Sequence, residues 1–475
     1  MLKEKHLALL TDFYELTMSN GYFNLGKKDT ICIFDVFFRD VPDKGGYAIA
    51  CGINSVVDYL LNFKFSKDEI GFLEEKKLFS SDFLDYLKDF HFSGDVYAVK
   101  EGEVVFPGEP IITIKAKAIE AQLIETYILL CINHQSLIAT KTSRIVKAAK
   151  GRPVMEFGAR RSHGSVSSIL GARASYVAGA KSTSNTLTDF YFEVPASGTM
   201  AHSWIEMFPN EYEAFMAYAK LYPNGAVLLI DTYDVLKSGL PNAIKVFKEL
   251  NLVKGGIRID SGDLTYLSKK VRKKLDEEGL KEIKIVVSNS LDEFIITELL
   301  DQGAPIDSFG VGERLITAKS DPVFGAVYKL AALEVDDKII PKIKISDSVG
   351  KITNPGFKKV YRLIDLDSKK AIADLITLRE ESLEGLKEIE IFDPLATWKR
   401  KTITNFIYRE VTPLIIKDGK LLRKLATLKQ SRDYCEKVLK EQWDEVKRLV
   451  NPHGYYVDLS EKLYNLKQEL LKRKY

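Results

Sequence analysis

His202 is one of only six histidines in the chain and stands in "GTMAHSW" (198–204), between Ala201 and Ser203. Small neighbours leave an imidazole accessible, which suits a group presented to a substrate; the same position also suits a core histidine with one satisfied nitrogen. Elsewhere, cations and hydroxyls stand at the ends of apolar runs. Arg160 and Arg161 follow "PVMEFGA" (153–159). Two adjacent arginines are hard to bury without anions. Either they pair with Glu156 or a neighbouring strand's aspartate, or their planar forks capture a carboxylate or phosphate. Arg258 precedes Asp260 by two residues in an extended run, so both side chains share one face. In "DSGD" (260–263) Asp263 reads as a helix N-cap, and Asp260 is the candidate for ribose hydroxyls or a metal-bridged phosphate. "FGVGER" (309–314) is either a plain turn or a place where backbone N–H groups approach an anion. Together these groups suit a small molecule carrying phosphates and a carboxylate.

The elements that must hold them recur between residues 150 and 335. A β-branched run ends on a polar or small residue and a helical stretch follows. Glu156, Asp231, Asp260, Ser288 and Gly310 occupy those ends. "SLDE" (290–293) has capping-box spacing. Strands alternating with helices predict parallel β/α units, here an irregular β/α barrel with polar strand ends lining its site. Segment 95–116 predicts a hairpin around Pro107-Gly108, with a helix over 119–149. Strand-rich character returns after residue 335. The expected division is therefore a barrel over 119–335, a second α/β domain from 1–118 and 336–425, and a helical extension over 426–475.

Composition excludes several classes. With 69 Lys and Arg against 66 Asp and Glu, a net charge of +3 gives no case for a nucleic-acid partner. Cys32, Cys51, Cys131 and Cys435 have no metal spacing, which fits a reducing cytosol. The N-terminus is a poor signal peptide, and no apolar run approaches the ~20 residues that span a bilayer, so a cytoplasmic protein is expected. "VAGAKST" (177–183) misplaces the lysine of a nucleotide-binding phosphate loop. "VLLIDTYDVLKSG" (227–239) has Thr232 where the acidic-pair loop of type I phosphoribosyltransferases needs a second acid.

Six segments, "LLTDFYELTM" (9–18), "EFGARRSHG" (156–164), "GTMAHSW" (198–204), "GIRIDSGD" (256–263), "SNSLDE" (288–293) and "TNPGFKKVYR" (353–362), closely resemble the nicotinate phosphoribosyltransferases. The "NPHGYYVDLS" tail (451–460) resembles them too. The resemblance implies a type II phosphoribosyltransferase fold and a homodimer with active sites at its interface. It implies an ATP-dependent C–N ligase that joins nicotinate to phosphoribosyl pyrophosphate (PRPP), giving nicotinate mononucleotide and pyrophosphate, the Preiss-Handler entry to NAD. Magnesium accompanies the polyphosphates. By the same resemblance His202 is the histidine that ATP phosphorylates. Phe157, Arg160, Thr199 and Arg258 contact nicotinate, with Tyr14 of the partner subunit as the other face of a ring clamp. Asp260, Ser288, Asn289, Gly310, Gly312 and Thr353 surround PRPP, together with Arg39 of the partner subunit. Two positions depart from the family pattern: His163 replaces a usual glutamine, and Glu313 replaces a small or hydroxyl residue beside a phosphate loop. In the related nicotinamide enzymes an aspartate reads the carboxamide; Ser184 takes its place here, so an acid substrate is expected.

Overall fold

In the computed structural model, which describes residues 6–473, the chain divides into two compact units. One runs from Ile138 to Pro322; the other joins the residues up to Leu137 with those from Val323 onward.

The Ile138–Pro322 unit is built on six parallel strands. In sheet order they are Ser182–Thr183, Val154–Glu156, Ser308–Val311, Lys284–Val287, Gly256–Ile259 and Val227–Leu229. Helices Ser165–Val177, Leu240–Glu249, Leu264–Glu277 and Glu293–Asp301 follow strands as the sequence pattern predicts. Ile257, Ile259, Ile285, Val287, Phe309 and Val311 are fully buried, the near-continuous apolar signature of strands covered on both faces. Among the described residues the two outer strands are not hydrogen-bonded to each other, so the barrel is irregular. Register decides what matters for chemistry. Arg258 lies opposite Leu229 on one side and Val286 on the other, so Asp231, Asp260 and Ser288 emerge together at the carboxyl end of the sheet.

The flanking unit holds a seven-stranded antiparallel sheet centred on Ile31–Phe37, between Val327–Val335 and Ile112–Lys117. A four-stranded sheet carries Lys358–Asp365 and Ala371–Leu378, packed through Tyr361, Leu363, Ala373 and Leu375. The unit's second segment begins earlier than the expected 336, because Val327–Val335 pairs with Ile31–Phe37. The tail is not helical throughout: between helices Leu428–Glu441 and Glu461–Lys472, strand Tyr456–Leu459 joins the four-stranded sheet parallel to Ala371–Leu378. The expected hairpin is more elaborate as well. Asp95–Ala98 does pair with Ile112–Lys117, but Val104–Val105 between them pairs with Ala48–Ile49.

"SLDE" does not form a capping box. Asp292 is the N-cap, accepting from the backbone N–H groups of Phe294 and Ile295. Glu293 is fully buried and takes Lys141 Nζ and Arg144 Nε, each at 2.9 Å, through Oε1. Its side chain is thereby held by the helix Glu125–Ala148 and cannot reach back to Ser290.

Candidate active site

Ten of the thirteen expected site residues border one cleft of about 770 Å³ at the strand ends: Phe157, Arg160, Thr199, His202, Arg258, Asp260, Ser288, Asn289, Gly310 and Gly312. Arg258 organises it from the strand Gly256–Ile259. Its Nε donates to Ser288 Oγ at 2.8 Å, Nη1 to Thr199 Oγ1 at 3.0 Å and Nη2 to Asp260 Oδ1 at 3.0 Å. Ser288 Oγ also donates to Asp260 Oδ1. A planar fork bonded along three directions has its orientation fixed before any ligand arrives.

His202 opens the short helix His202–Glu206, with its side chain 42% exposed at the cleft. Nδ1 lies 3.1 Å from Thr232 Oγ1, and Nε2 lies 4.0 Å from Asp260 Oδ2. This is an accessible imidazole at a cleft wall, not a core histidine. Thr232, which fails as an acid, holds the ring. Asp231 is a second group that the sequence reading left out of the site. Its Oδ2 accepts from the Asp260 backbone N–H at 3.0 Å and from Ser261 Oγ at 2.6 Å, while the buried Oδ1 has no hydrogen-bond partner among the described residues. Its strand-end position was the available signal.

The two glycines make room for a ring. A Cβ on Gly310 would lie 2.6 Å from the Phe157 ring, and one on Gly312 would lie 3.0 Å from the Phe157 carbonyl oxygen. Both therefore let Phe157 lie against the strand end, with the Arg258 guanidinium 6.0 Å from the ring centroid. The next loop supplies the unusual backbone. Asn289 (φ 90°) and Ser290 (φ 50°) are consecutive left-handed residues bordering the cleft, a strained conformation that collects at ligand sites.

Arg160 and Arg161 are exposed at the cleft, and neither pairs with Glu156. That buried carboxylate instead accepts from the Gly158 N–H and from Thr183 Oγ1, and burial pushes its pKa up. His163 is exposed and Asp263 caps the helix Leu264–Glu277, as expected of an N-cap.

The remaining three residues belong to the flanking unit. Tyr14 is half-exposed on the helix Phe13–Asn24. Arg39 borders a separate cavity of about 360 Å³ with Asn354 and Lys358, and its buried Nε has no partner among the described residues. Thr353 is buried and its hydroxyl accepts from the Lys344 backbone N–H at 3.1 Å.

Known proteins share this sequence along its length. Models of the nicotinate phosphoribosyltransferase N-terminal domain, family and C-terminal domain match residues 9–133, 153–363 and 357–467. The chain belongs to the nicotinate phosphoribosyltransferase family. It is 42% identical to the nicotinate phosphoribosyltransferase of Bacillus subtilis (strain 168) over 471 residues, covering 98% of this chain and 96% of that one. It is 30% identical to the Homo sapiens relative of the same name, covering 97% and 96% of the two chains. The crystal structure of human nicotinic acid phosphoribosyltransferase superposes with a TM-score of 0.83 at 27% identity, covering 97% of this chain and 100% of that one.

Glu313, expected to be unfavourable beside a phosphate loop, has local partners. The carboxylate does not pair with Arg314, which instead holds Asp292. It takes Lys319 Nζ at 2.7 Å and stands 3.9 Å from Arg161 Nε. Ser184 also borders the cleft, beside Arg160.

Proposed function

We propose that this chain joins nicotinate to PRPP, releasing nicotinate mononucleotide and pyrophosphate, with ATP hydrolysed through a phosphohistidine at His202. The observation that carries the reading is the Arg258 fork, which gathers Thr199, Ser288 and Asp260 beside the Phe157 ring at one strand end. Nicotinate stacks on Phe157, an arrangement worth ~1 kcal/mol beyond burial. Its carboxylate meets Thr199, Arg160 and Arg258, and the Asp260 carboxylate accepts from the ribose hydroxyls. The pyridine nitrogen's lone pair then forms the bond to the anomeric carbon as the carbon–oxygen bond to pyrophosphate breaks. The transition state resembles a sugar cation, so alignment and the cations around the leaving group supply the catalysis. No protein nucleophile is needed for that step.

In the coupling reaction a lone pair of the His202 imidazole attacks the γ-phosphorus of ATP and ADP departs. Water later cleaves the N–P bond and releases phosphate. Magnesium would neutralise the polyphosphate charge. A cation carried mainly by phosphate oxygens asks for few protein ligands, and the Asp260 carboxylate at the cleft fits that demand. As the family resemblance implies, we place the enzyme in the cytoplasm as a homodimer completed by Tyr14 of the partner subunit and Arg39 of the partner subunit, at the Preiss-Handler entry to NAD.

Ser184 favours nicotinate over nicotinamide, since a neutral hydroxyl at the cleft does not repel a carboxylate. Product analysis with nicotinate, PRPP and Mg-ATP, each omitted in turn, tests the proposal. Nicotinate mononucleotide should require the first two and be stimulated by the third. His202→Ala should abolish the stimulation and keep slow ATP-independent transfer. Faster turnover of nicotinamide, or undiminished ATP stimulation in His202→Ala, overturns the respective part.

A further inference from the structure

One carboxylate in the cleft works against anion binding as placed. Glu313 begins the short helix Glu313–Ile316, directly after Gly312, and borders the same cleft as Arg160, Arg161, Arg258 and Arg314. Its own partners are Lys319, through Oε1 at 2.7 Å, and Arg161, whose Nε is 3.9 Å from Oε2. Lys319 beside it, and more weakly Arg161 and Arg314, hold the Glu313 carboxyl below the usual range, so it stays charged at neutral pH. The two contacts differ in kind. The Lys319 pair is close and needs no cleft residue besides Glu313. The Arg161 pair is long, between groups 65% and 43% exposed, and is easily exchanged for a stronger anion. Arg161 has no other ionic partner among the described residues.

We infer that Glu313 is a resident counter-anion that holds Arg161 until the polyphosphate of the substrate displaces it, so that the pair sets how strongly the cleft must be bound by phosphate before Arg161 is released. This rests on the reading of the cleft as a PRPP site. Lone orthophosphate, with less charge and a single phosphorus to present, competes poorly with a tethered carboxylate. A pyrophosphate-bearing substrate competes well, because its second phosphate occupies other cations of the cleft at the same time. Glu313 thereby lowers the affinity of the empty cleft for any anion that takes Arg161, so a small anion held there alone falls away while a polyphosphate stays bound through the other cations.

The test uses the full-length protein, with inorganic pyrophosphate and orthophosphate as calorimetric probes and the KM for PRPP as the kinetic one. Glu313→Gln keeps the shape and removes the charge. It should tighten orthophosphate and pyrophosphate binding alike, by about twofold, lower the KM for PRPP by about twofold, and leave kcat within about twofold. The effect should vanish in an Arg161→Gln background, because the competition acts through Arg161; a charge repelling phosphate through space would act in both backgrounds. Equal effects with and without Arg161, or no gain for either probe, overturn the inference while the enzyme assignment stands. Wild-type protein that binds no pyrophosphate and forms no nucleotide overturns the PRPP reading and the inference with it.

Discussion

Two arginines, Arg362 in the flanking unit and Arg258 at the cleft, show how one side chain serves opposite ends. Arg362 is fully buried. Its Nε donates to Asp374 Oδ1 at 2.8 Å, Nη1 to Glu103 Oε1 at 2.7 Å, and Nη2 to both Asp374 Oδ2 and the Val104 carbonyl. Tyr455 and Arg409 complete the carboxylates. Burial pushes the Asp374 carboxyl up, but Arg362 outweighs that and holds it below the usual range. Four of its five N–H donors are spent inside the protein. Arg258 has a comparable number of partners, but it is 15% exposed and its carboxylate Asp260 is 28% exposed. Two of its partners are hydroxyls, which re-aim at little cost. Saturation by buried carboxylates makes an arginine structural; hydroxyl partners beside open space leave it available to a ligand.

The comparison breaks most sharply at Arg362. Arg362→Met strands Asp374 as an uncompensated buried charge, leaves Glu103 to Arg409 alone, and should cost ~3–5 kcal/mol in denaturant unfolding. A cost below ~1 kcal/mol would mean that water or a rearrangement already compensates those carboxylates. Arg258→Gln should do the reverse. kcat/KM for nicotinate should fall on the order of 100-fold, while the unfolding midpoint moves by less than ~1 kcal/mol-equivalent. A large loss of stability there would make Arg258 structural too.

A smaller effect sharpens the role of the cation. Glu15 is a buried carboxylate whose hydrogen-bond partners among the described residues are hydroxyls only, those of Thr11 and Thr126. Burial, against the pull of those hydroxyls, raises its pKa from 4.5 to about 7. Between those values the unfolded chain ionises while the folded one keeps its proton. Stability should therefore fall as pH rises through that window and level off above it. Glu15→Gln should flatten the slope when urea midpoints are compared at about pH 5 and about pH 7. An unchanged slope would assign the titration elsewhere.

Much of the cleft was legible from short-range rules. Period-two alternation puts Arg258 and Asp260 on one face, and strand ends in parallel units point to one side. Those rules say which way a side chain leaves its strand and nothing of what it meets. Glu293 shows the difference: capping spacing described a local bond to Ser290, but Lys141 and Arg144 from a distant helix offered a charge partner in the interior. A buried charge is stabilised more by an opposite charge than by a backbone N–H, so the tertiary contact won. Gly310 reads from the sequence as a phosphate-loop glycine, and the structure adds that its missing side chain makes room for Phe157.

The sequence by itself determined the parallel β/α pattern, the family, and a set of cations, hydroxyls and acids at strand ends. Only the tertiary structure decided their pairing: Thr232 against His202, Asp231 under Asp260, Lys319 and Arg161 about Glu313. The reason is physical. Backbone propensities and side-chain periodicity act over a few residues, whereas hydrogen bonds and ion pairs depend on ångström distances between segments that only register and packing bring together.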